Sequence, residues 1–274
     1  MPAKIDRIGR AHEWLTRAIL LGSEASLAEA KRFLDLLPEP DRKRVTAGAK
    51  RTAEHLRALH PGRRVIAARA VGEDSKKPGE GDADLLLTFE DGGAVGYSLK
   101  IQASSEGVNV RNPTANSLTK ALAGREFSAL LTASQQDWYR LRGEEYAKGE
   151  LDSKVVGQWG VKVLANAFRE AHHLDPPKFV GALLRELRVG TNLILTVVDQ
   201  GGRFLGHSTK YSRVAGDVRA EPKRLAIDAR GISVRFALDG VELCHVDVYM
   251  MSGSEGKGTK LRAAIRCDFE LDRP

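Results

Sequence analysis

The stretch that decides the fold of this chain is GEGDADLLLTFEDGGAVGYSLKIQ, from Gly79 to Gln102. Its apolar run Leu85–Phe89 predicts one strand and Ala94–Ile101 predicts a second. The EDGG segment between them supplies glycines for the positive φ angles of a tight turn. We therefore interpret the stretch as a β-hairpin, with Asp84 directly before its first strand.

The second strand of the hairpin carries a lysine among apolar neighbours. Side chains alternate between the two faces of a strand, so Ser98, Lys100 and Gln102 share one face. Lysine is almost never buried without a partner. Asp84, at the open end of the neighbouring strand, is the predicted partner of Lys100.

A carboxylate beside a lysine can serve phosphodiester hydrolysis. This reaction uses a divalent cation to stabilise the charge that develops on phosphorus, and a water molecule near that cation as the nucleophile. Carboxylate oxygen suits Mg²⁺, and a nearby lysine can orient the water or stabilise the transition state. An ordinary hairpin with a surface ion pair is the alternative.

The hairpin resembles the core of the PD-(D/E)XK nucleases, the restriction-endonuclease-like superfamily. The pattern of that family is an Asp, a hairpin, and an acidic residue two positions before a Lys. Asp84 and Lys100 match this pattern, whereas Ser98 stands where the family usually has Glu or Asp. A serine there is similar to the S-x-K variant of some type II restriction enzymes, including the HaeIII-like and HpaII-like groups.

The resemblance implies a Mg²⁺-dependent DNA endonuclease, in which Mn²⁺ can substitute for Mg²⁺. It makes Asp84 a metal ligand, Lys100 the residue that orients or activates water, and Ser98 a secondary ligand or a donor behind the first ligand. Gln102 would line the site. Two acidic residues are candidates for the missing carboxylate: Glu54, on a helix before the first strand, and Glu73, at the end of that strand.

The resemblance also implies double-stranded DNA as the substrate and a homodimer as the active form. Duplex cleavage needs two sites, and two-fold symmetry matches a palindrome. The net charge of +7 and the pI of about 9.4 suit a polyanionic partner. We expect no nucleotide cofactor, because the GSEGKGTK segment lacks the spacing of a phosphate-binding loop.

Basic and amide side chains outside the hairpin are the candidate DNA contacts. Lysine and arginine contact phosphates, whereas asparagine and arginine can read base edges. A solvated charged face is the alternative for each group. The candidates are Arg42, Arg44, Lys50 and Arg51 in a predicted basic helix, Asn109, Arg111, Asn112 and Asn116 after the hairpin, and Lys257, Lys260 and Arg262 near the C-terminus.

The element pattern predicts a mixed α/β (α+β) fold of the restriction-endonuclease type. We expect a mixed sheet of Val65–Val71, the two hairpin strands and Thr191–Val198, flanked by helices, with a β-rich C-terminal portion. The expected regions are an N-terminal helical region (1–62), a nuclease core with a helical insertion (63–198) and a β-rich region packed on the core (199–274). Residues 261 to 271 are predicted to form a single last strand.

Composition is that of a soluble, cytoplasmic protein without a membrane segment. Hydrophobic residues make up 42% of the chain and charged residues 29%, and the two cysteines imply no disulfide framework. Two other functions remain open at this stage. The chain could be a non-catalytic DNA-binding protein with a degenerate nuclease fold, or an RNA-processing or protein-interaction factor whose charge is incidental.

Overall fold

The structure, a computed structural model, describes residues 4–70, 84–187, 192–211, 214–252 and 259–272. The helices are α1 (Lys4–Leu21), α2 (Glu24–Leu34), α3 (Glu39–Leu59), α4 (Ala115–Ala123), α5 (Ala133–Ala147), α6 (Ser153–Leu174), α7 (Pro176–Glu186) and α8 (Val214–Ala220). The strands are β1 (Val65–Ala70), β2 (Leu85–Phe89), β3 (Ala94–Gln102), β4 (Val108–Arg111), β5 (Leu193–Val198), β6 (Phe204–Tyr211), β7 (Leu225–Arg230), β8 (Ser233–Leu238), β9 (Val241–Ser252), β10 (Thr259–Cys267) and β11 (Phe269–Asp272).

The first of two compact units contains residues 1–105, 190–210 and 269–274. In its described part, a sheet of six strands has the order β1-β2-β3-β5-β6-β11. The hairpin strands β2 and β3 pair antiparallel, with Leu85 opposite Tyr97. Strand β3 then pairs parallel with β5, with Ser98 opposite Leu193. The predicted mixed sheet is thereby confirmed.

Helices α1 and α3 cover one face of this sheet. Ala53 and Leu56 of α3 form a buried cluster with Leu87 and Leu99 of the hairpin. The helix lies close to the strand at Gly48, where an added Cβ would come 2.5 Å from the Cδ1 atom of Ile101. Since side chains alternate along β3, Ser98 and Lys100, which flank Leu99, point to the sheet face opposite α1 and α3.

The second unit contains residues 106–189 and 211–268. Its described strands form an antiparallel sheet in the order β4-β10-β9-β8-β7. Helix α6 packs on one face, where Gly157 and Gly160 lie against Val248. Phe236 of β8 meets Phe168 of α6 on the same side. This sheet accounts for the predicted β-rich character of the C-terminal portion.

Several element predictions differ from the structure. Two strands, β4 (Val108–Arg111) and β7 (Leu225–Arg230), were not predicted. The expected strand from 261 to 271 is broken at Asp268, and its two halves lie in different sheets. The compact units also follow other boundaries than the three expected regions, since the N-terminal helices belong to the unit of the first sheet and residues 199–274 are divided between the units.

Among the helices of the described ranges, none has the length and apolar character that crossing a bilayer requires.

Candidate active site

The turn of the β2–β3 hairpin is held by Arg63, which precedes β1. Its Nε and Nη2 atoms donate to the two carboxylate oxygens of Asp91, each at 2.8 Å. The same guanidinium lies 4.1 Å from the ring centroid of Phe89. Hydrogen bonding from Arg63 lowers the pKa of Asp91. These contacts fix the turn, and with it the pairing that brings Asp84 next to β3.

Asp84, Ser98 and Lys100 meet at the open end of the hairpin. The Ser98 hydroxyl donates to Asp84 Oδ2 at 2.8 Å, and the Leu99 backbone N–H donates to the same oxygen at 3.0 Å. Lys100 Nζ lies 3.8 Å from that oxygen. Ser98 is buried, whereas the side chains of Asp84 and Lys100 are 18% and 26% exposed. The predicted pairing of Asp84 with Lys100 is present, on the face opposite α1 and α3.

Strand β5 supports this site through Asn192, which comes directly before it. The Ser98 N–H donates to the Asn192 carbonyl at 2.9 Å, and the Asn192 side-chain amide donates to the Gly96 carbonyl at 3.1 Å. Asn192 thus holds the backbone of β3 at Gly96 and at Ser98. Asn192 was not predicted from the sequence, because its partners lie far away along the chain and a single asparagine before a strand carries no specific signal.

Of the two candidates for a second carboxylate, Glu54 lies within the described residues. Glu54 lies on the exposed side of α3, 3.1 Å from Arg51, and α3 packs on the other face of the sheet. Its position therefore does not support the predicted metal role. Glu73 falls outside the described residues. Gln102 is partly exposed and lies two residues beyond Lys100, on the same face of β3.

Within the described ranges there is no group of three or more His, Cys, Asp or Glu side chains arranged to hold a metal ion.

The four basic candidates of α3 also lie on the face opposite Asp84. Arg42 donates to the Leu37 carbonyl at 3.3 Å, and Arg44 lies 3.6 Å from Asp41 with its side chain only 15% exposed. Arg51 pairs with Glu54, as described above. Lys50 is exposed. Two of the four candidates thus serve the first turns of their own helix.

The candidates after the hairpin lie in the second unit. Arg111 is 2.6 Å from Glu186 of α7, and Asn116 accepts a hydrogen bond from the Ser128 N–H at 3.0 Å. These two contacts are internal to the fold. The remaining described candidates, Asn109, Asn112, Lys260 and Arg262, lie on or beside the sheet face that points away from α6, and Lys257 is outside the described residues.

A buried polar network occupies the helical face of the first sheet, and sequence analysis did not find it. His12 Nε2 lies 2.9 Å from Thr52 Oγ1, which lies 2.7 Å from Thr196 Oγ1. Thr196 Oγ1 is 3.2 Å from His207 Nδ1. Burial lowers the pKa of His12 to about 3 and that of His207 to about 4. Both rings are therefore neutral at pH 7.

Comparisons with known proteins add little to this geometry. No family model matches the sequence, and no curated protein matches it. Among solved structures, the chain is similar to the crystal structure of the restriction endonuclease MspI in complex with its cognate DNA. The identity is 12% and the TM-score 0.35, with 88% of this chain and 99% of the other covered. A likeness at this TM-score carries no argument about fold or function.

Proposed function

We propose that this protein is a Mg²⁺-dependent DNA endonuclease, and more specifically a type II restriction endonuclease. The observation that carries the proposal is the convergence of Ser98, Leu99 and Lys100 on a single carboxylate oxygen of Asp84. Asp84, Ser98 and Lys100 are the three residues that the PD-(D/E)XK pattern selects from sequence. Their meeting on adjacent strands of a mixed sheet supports the restriction-endonuclease-like interpretation.

The donors at Asp84 fit a hard divalent cation. Among the described residues, the hydrogen bonds and the ion pair of Asp84 reach its Oδ2 atom, so Oδ1 remains for a ligand. A single carboxylate oxygen is a suitable ligand for Mg²⁺, which keeps several of its own waters. A Mg²⁺ ion held there would supply neutralisation of the charge that develops on the phosphoryl group. Glu73 remains the candidate for a second carboxylate.

The neighbours of Asp84 would orient it and complete the site. Two donors on one oxygen restrict the rotation of the carboxylate, so Ser98 and the Leu99 N–H would hold Oδ1 in a fixed direction. The Lys100 ammonium is held on the same side of the strand. It can donate to an attacking water or to a non-bridging phosphate oxygen, which is a role that electrostatic catalysis requires. Partial exposure of both charged groups leaves room for substrate.

The substrate proposed for this site is double-stranded DNA, cleaved by a homodimer. The net charge of +7 supports a polyanionic partner. Cleavage of both strands within a palindrome needs two active sites related by a two-fold axis. A dimer supplies both from one gene product.

A second candidate function is a DNA-binding protein that has lost catalysis. The observation that favours it is Ser98, which stands in place of a carboxylate and donates its hydroxyl hydrogen to Asp84. The described part of the site therefore has one carboxylate. Such a protein would bind duplex DNA without binding Mg²⁺ at Asp84.

Calorimetric titration with Mg²⁺ separates the two candidates. The endonuclease proposal expects binding heat in the wild type that Asp84→Asn abolishes. Asp137→Asn, which changes an exposed carboxylate of α5, is the matched control and should bind as the wild type does. Equal heats in all three proteins, or heat in none of them, would favour the non-catalytic candidate.

A further inference from the structure

The five-stranded sheet of the second unit has a polar face that points away from α6. Val246, Val248 and Ile265 are fully buried on the helical side. Side chains alternate along a strand, so His245, Tyr249 and the residues flanking Ile265 point to the other side. We call this side of β8, β9 and β10, together with Asn109 of β4, the open face.

Cross-strand pairing arranges the open face in rows. Arg235 of β8 is opposite His245 of β9, which is opposite Arg266 of β10. Two rows further on, Tyr249 is opposite Arg262. Neighbouring strands are about 4.8 Å apart. The open face therefore presents a regular array of donors and acceptors.

Hydrogen bonds and ion pairs make part of this array rigid. The Ser233 hydroxyl donates to Asp247 Oδ1 at 2.6 Å, and Arg266 Nε lies 2.8 Å from Asp247 Oδ2. On the neighbouring row, Glu242 lies 2.6 Å from His245 Nδ1 and 3.4 Å from Arg235. Side chains held in this way lose little conformational entropy when a ligand binds.

The charge of the open face is positive. Two carboxylates on this face, Glu242 and Asp247, are outnumbered by four basic side chains: Arg235, Lys260, Arg262 and Arg266. The edge strand β7 adds one charge of each sign. These two carboxylates pair with Arg235 and Arg266, so within the described residues Lys260 and Arg262 have no acidic partner. Arg262 Nη1 donates to the Asn112 backbone carbonyl at 3.2 Å.

Two asparagines lie beside the arginines of the open face, Asn109 opposite Arg266 and Asn112 against Arg262. Asn109 Oδ1 is buried and has no hydrogen-bond partner among the described residues. Asn112 donates to the Tyr249 hydroxyl at 2.7 Å, which fixes the aromatic ring beside Arg262. A buried acceptor without a partner costs free energy unless a ligand or water satisfies it.

We propose that the open face is the surface with which the protein contacts duplex DNA, and that Lys260 and Arg262 carry phosphate contacts there. This inference rests on the proposed function and assigns the substrate contact to residues of the second unit, whereas Asp84 belongs to the first. The charge of the open face complements the phosphate backbone. An antiparallel strand pair such as β9–β10 also has dimensions that fit the major groove.

The test is binding of a mixed-sequence DNA duplex in EDTA, measured by fluorescence anisotropy across a range of NaCl concentrations. The variant is the double change Lys260→Ala and Arg262→Ala. We expect its affinity to fall about tenfold and the slope of log affinity against log salt to decrease by about 2, one for each lost phosphate contact.

The matched control removes two positive charges from the helical side of the same unit, by Arg125→Ala and Arg140→Ala. These side chains pair with Glu170 and Glu144. The control should bind DNA as the wild type does, with an unchanged salt slope. If the alanine variant of the open face unfolds, Lys260→Gln with Arg262→Gln removes the same charges and keeps a polar side chain with part of the aliphatic stem at each position.

The outcomes distinguish failure of the open-face proposal from failure of the endonuclease proposal. Equal losses in the open-face variant and the control, or no loss in the open-face variant, would overturn the open face as the DNA-contacting surface. An open-face variant that cuts DNA as well as the wild type would overturn it too, while the endonuclease proposal would stand. Loss of binding in the open-face variant alone, with a wild type that cuts nothing, would support the open face and remove the endonuclease proposal.

Discussion

Ser98 distinguishes this site from the usual PD-(D/E)XK pattern, which has a second carboxylate at this position, and its hydroxyl donates to the Asp84 carboxylate. We therefore treat Ser98 as a positioning residue for Asp84. A hydrogen bond to a charged group contributes about 1.5–3 kcal/mol, and the Leu99 N–H would still hold the carboxylate after the loss of the Ser98 hydroxyl. We therefore expect the site to keep part of its activity when the Ser98 hydroxyl is removed.

The first prediction concerns Ser98→Ala. We expect the cleavage rate to fall about tenfold, because one of the two donors to Asp84 Oδ2 is lost. Single-turnover cleavage of plasmid DNA measures the rate. Ser98→Thr keeps a hydroxyl and should retain more activity than the alanine variant. An alanine variant that cuts at the wild-type rate would contradict the positioning role.

The second prediction concerns pH and His12, which is 1% exposed. Burial lowers the pKa of His12 from 6.5 to about 3. Between these two pH values the unfolded chain binds a proton at His12, whereas the folded protein does not. The stability that depends on neutral His12 is complete above pH 6.5 and is lost as the pH falls toward 3. Between pH 6.5 and 4 the loss is about 3 kcal/mol.

Urea unfolding across this pH range measures the effect. The variant His12→Gln cannot titrate, so its free energy of unfolding should depend less steeply on pH than that of the wild type. If the free energy of unfolding of both proteins depends equally steeply on pH, the titration of His12 is not the cause of the pH dependence.

At the scale of single residues, the sequence predicts those positions of the site that follow from local backbone geometry. Strand alternation and a short turn are sufficient to place Asp84, Ser98 and Lys100 together. The position of Glu54 could not be predicted in this way, because it depends on which face of the sheet α3 covers. The histidine network was equally inaccessible, since its four residues come from four elements.

At the scale of elements, close contact between helices and sheets depends on glycine. An added Cβ at Gly157 would clash with the backbone carbonyl oxygen of Val248, which cannot move without disturbing β9. At Gly181, in α7, an added Cβ would meet only the end of the Arg185 side chain, at 3.7 Å. The same substitution should therefore have opposite effects at these two helical positions.

The third prediction compares Gly157→Ala with Gly181→Ala. The first should destabilise the protein by about 2 kcal/mol or more, because helix α6 must shift away from β9. The second should stabilise it by about 0.5–1 kcal/mol, since alanine is the better helix former. Denaturant unfolding measures both. A neutral effect of Gly157→Ala would show that α6 is not packed closely against this strand.

The element boundaries show where sequence patterns fail. The alternation from Leu261 to Leu271 continues through Asp268, although β10 and β11 belong to different sheets. A period of two indicates that a segment is extended but does not identify its neighbour. Strand β4 was missed because its residues, VNVR, are few and lie in a polar segment typical of a loop.

At the scale of the whole molecule, the chain passes between two units, and its last strand returns to the first. Because each unit is built from several separate segments, the expected continuous regions 1–62 and 199–274 do not coincide with the two units. Composition changes along the chain indicate where helices give way to strands, but they carry no information on which strands share a sheet. Long-range pairing is the part of the fold that pattern analysis does not reach.

The fourth prediction concerns oligomeric state. If the protein cuts both strands at a palindrome, we expect two chains on each duplex, with a protein mass of twice 29.9 kDa. Light scattering coupled to size-exclusion chromatography, in EDTA with a cleavable duplex, measures this mass. One chain per duplex, from a preparation that breaks both strands, would contradict the dimer.

The most direct test of the central claim is cleavage of phage DNA with Mg²⁺ or Mn²⁺ by the wild type, Asp84→Asn and Asp137→Asn. The account predicts discrete fragments from the wild type and from Asp137→Asn, and at least a hundredfold less cleavage by Asp84→Asn, since that variant loses the carboxylate that would hold the metal. Cleavage by Asp84→Asn at the wild-type rate, or no cleavage by any of the three, would contradict the account.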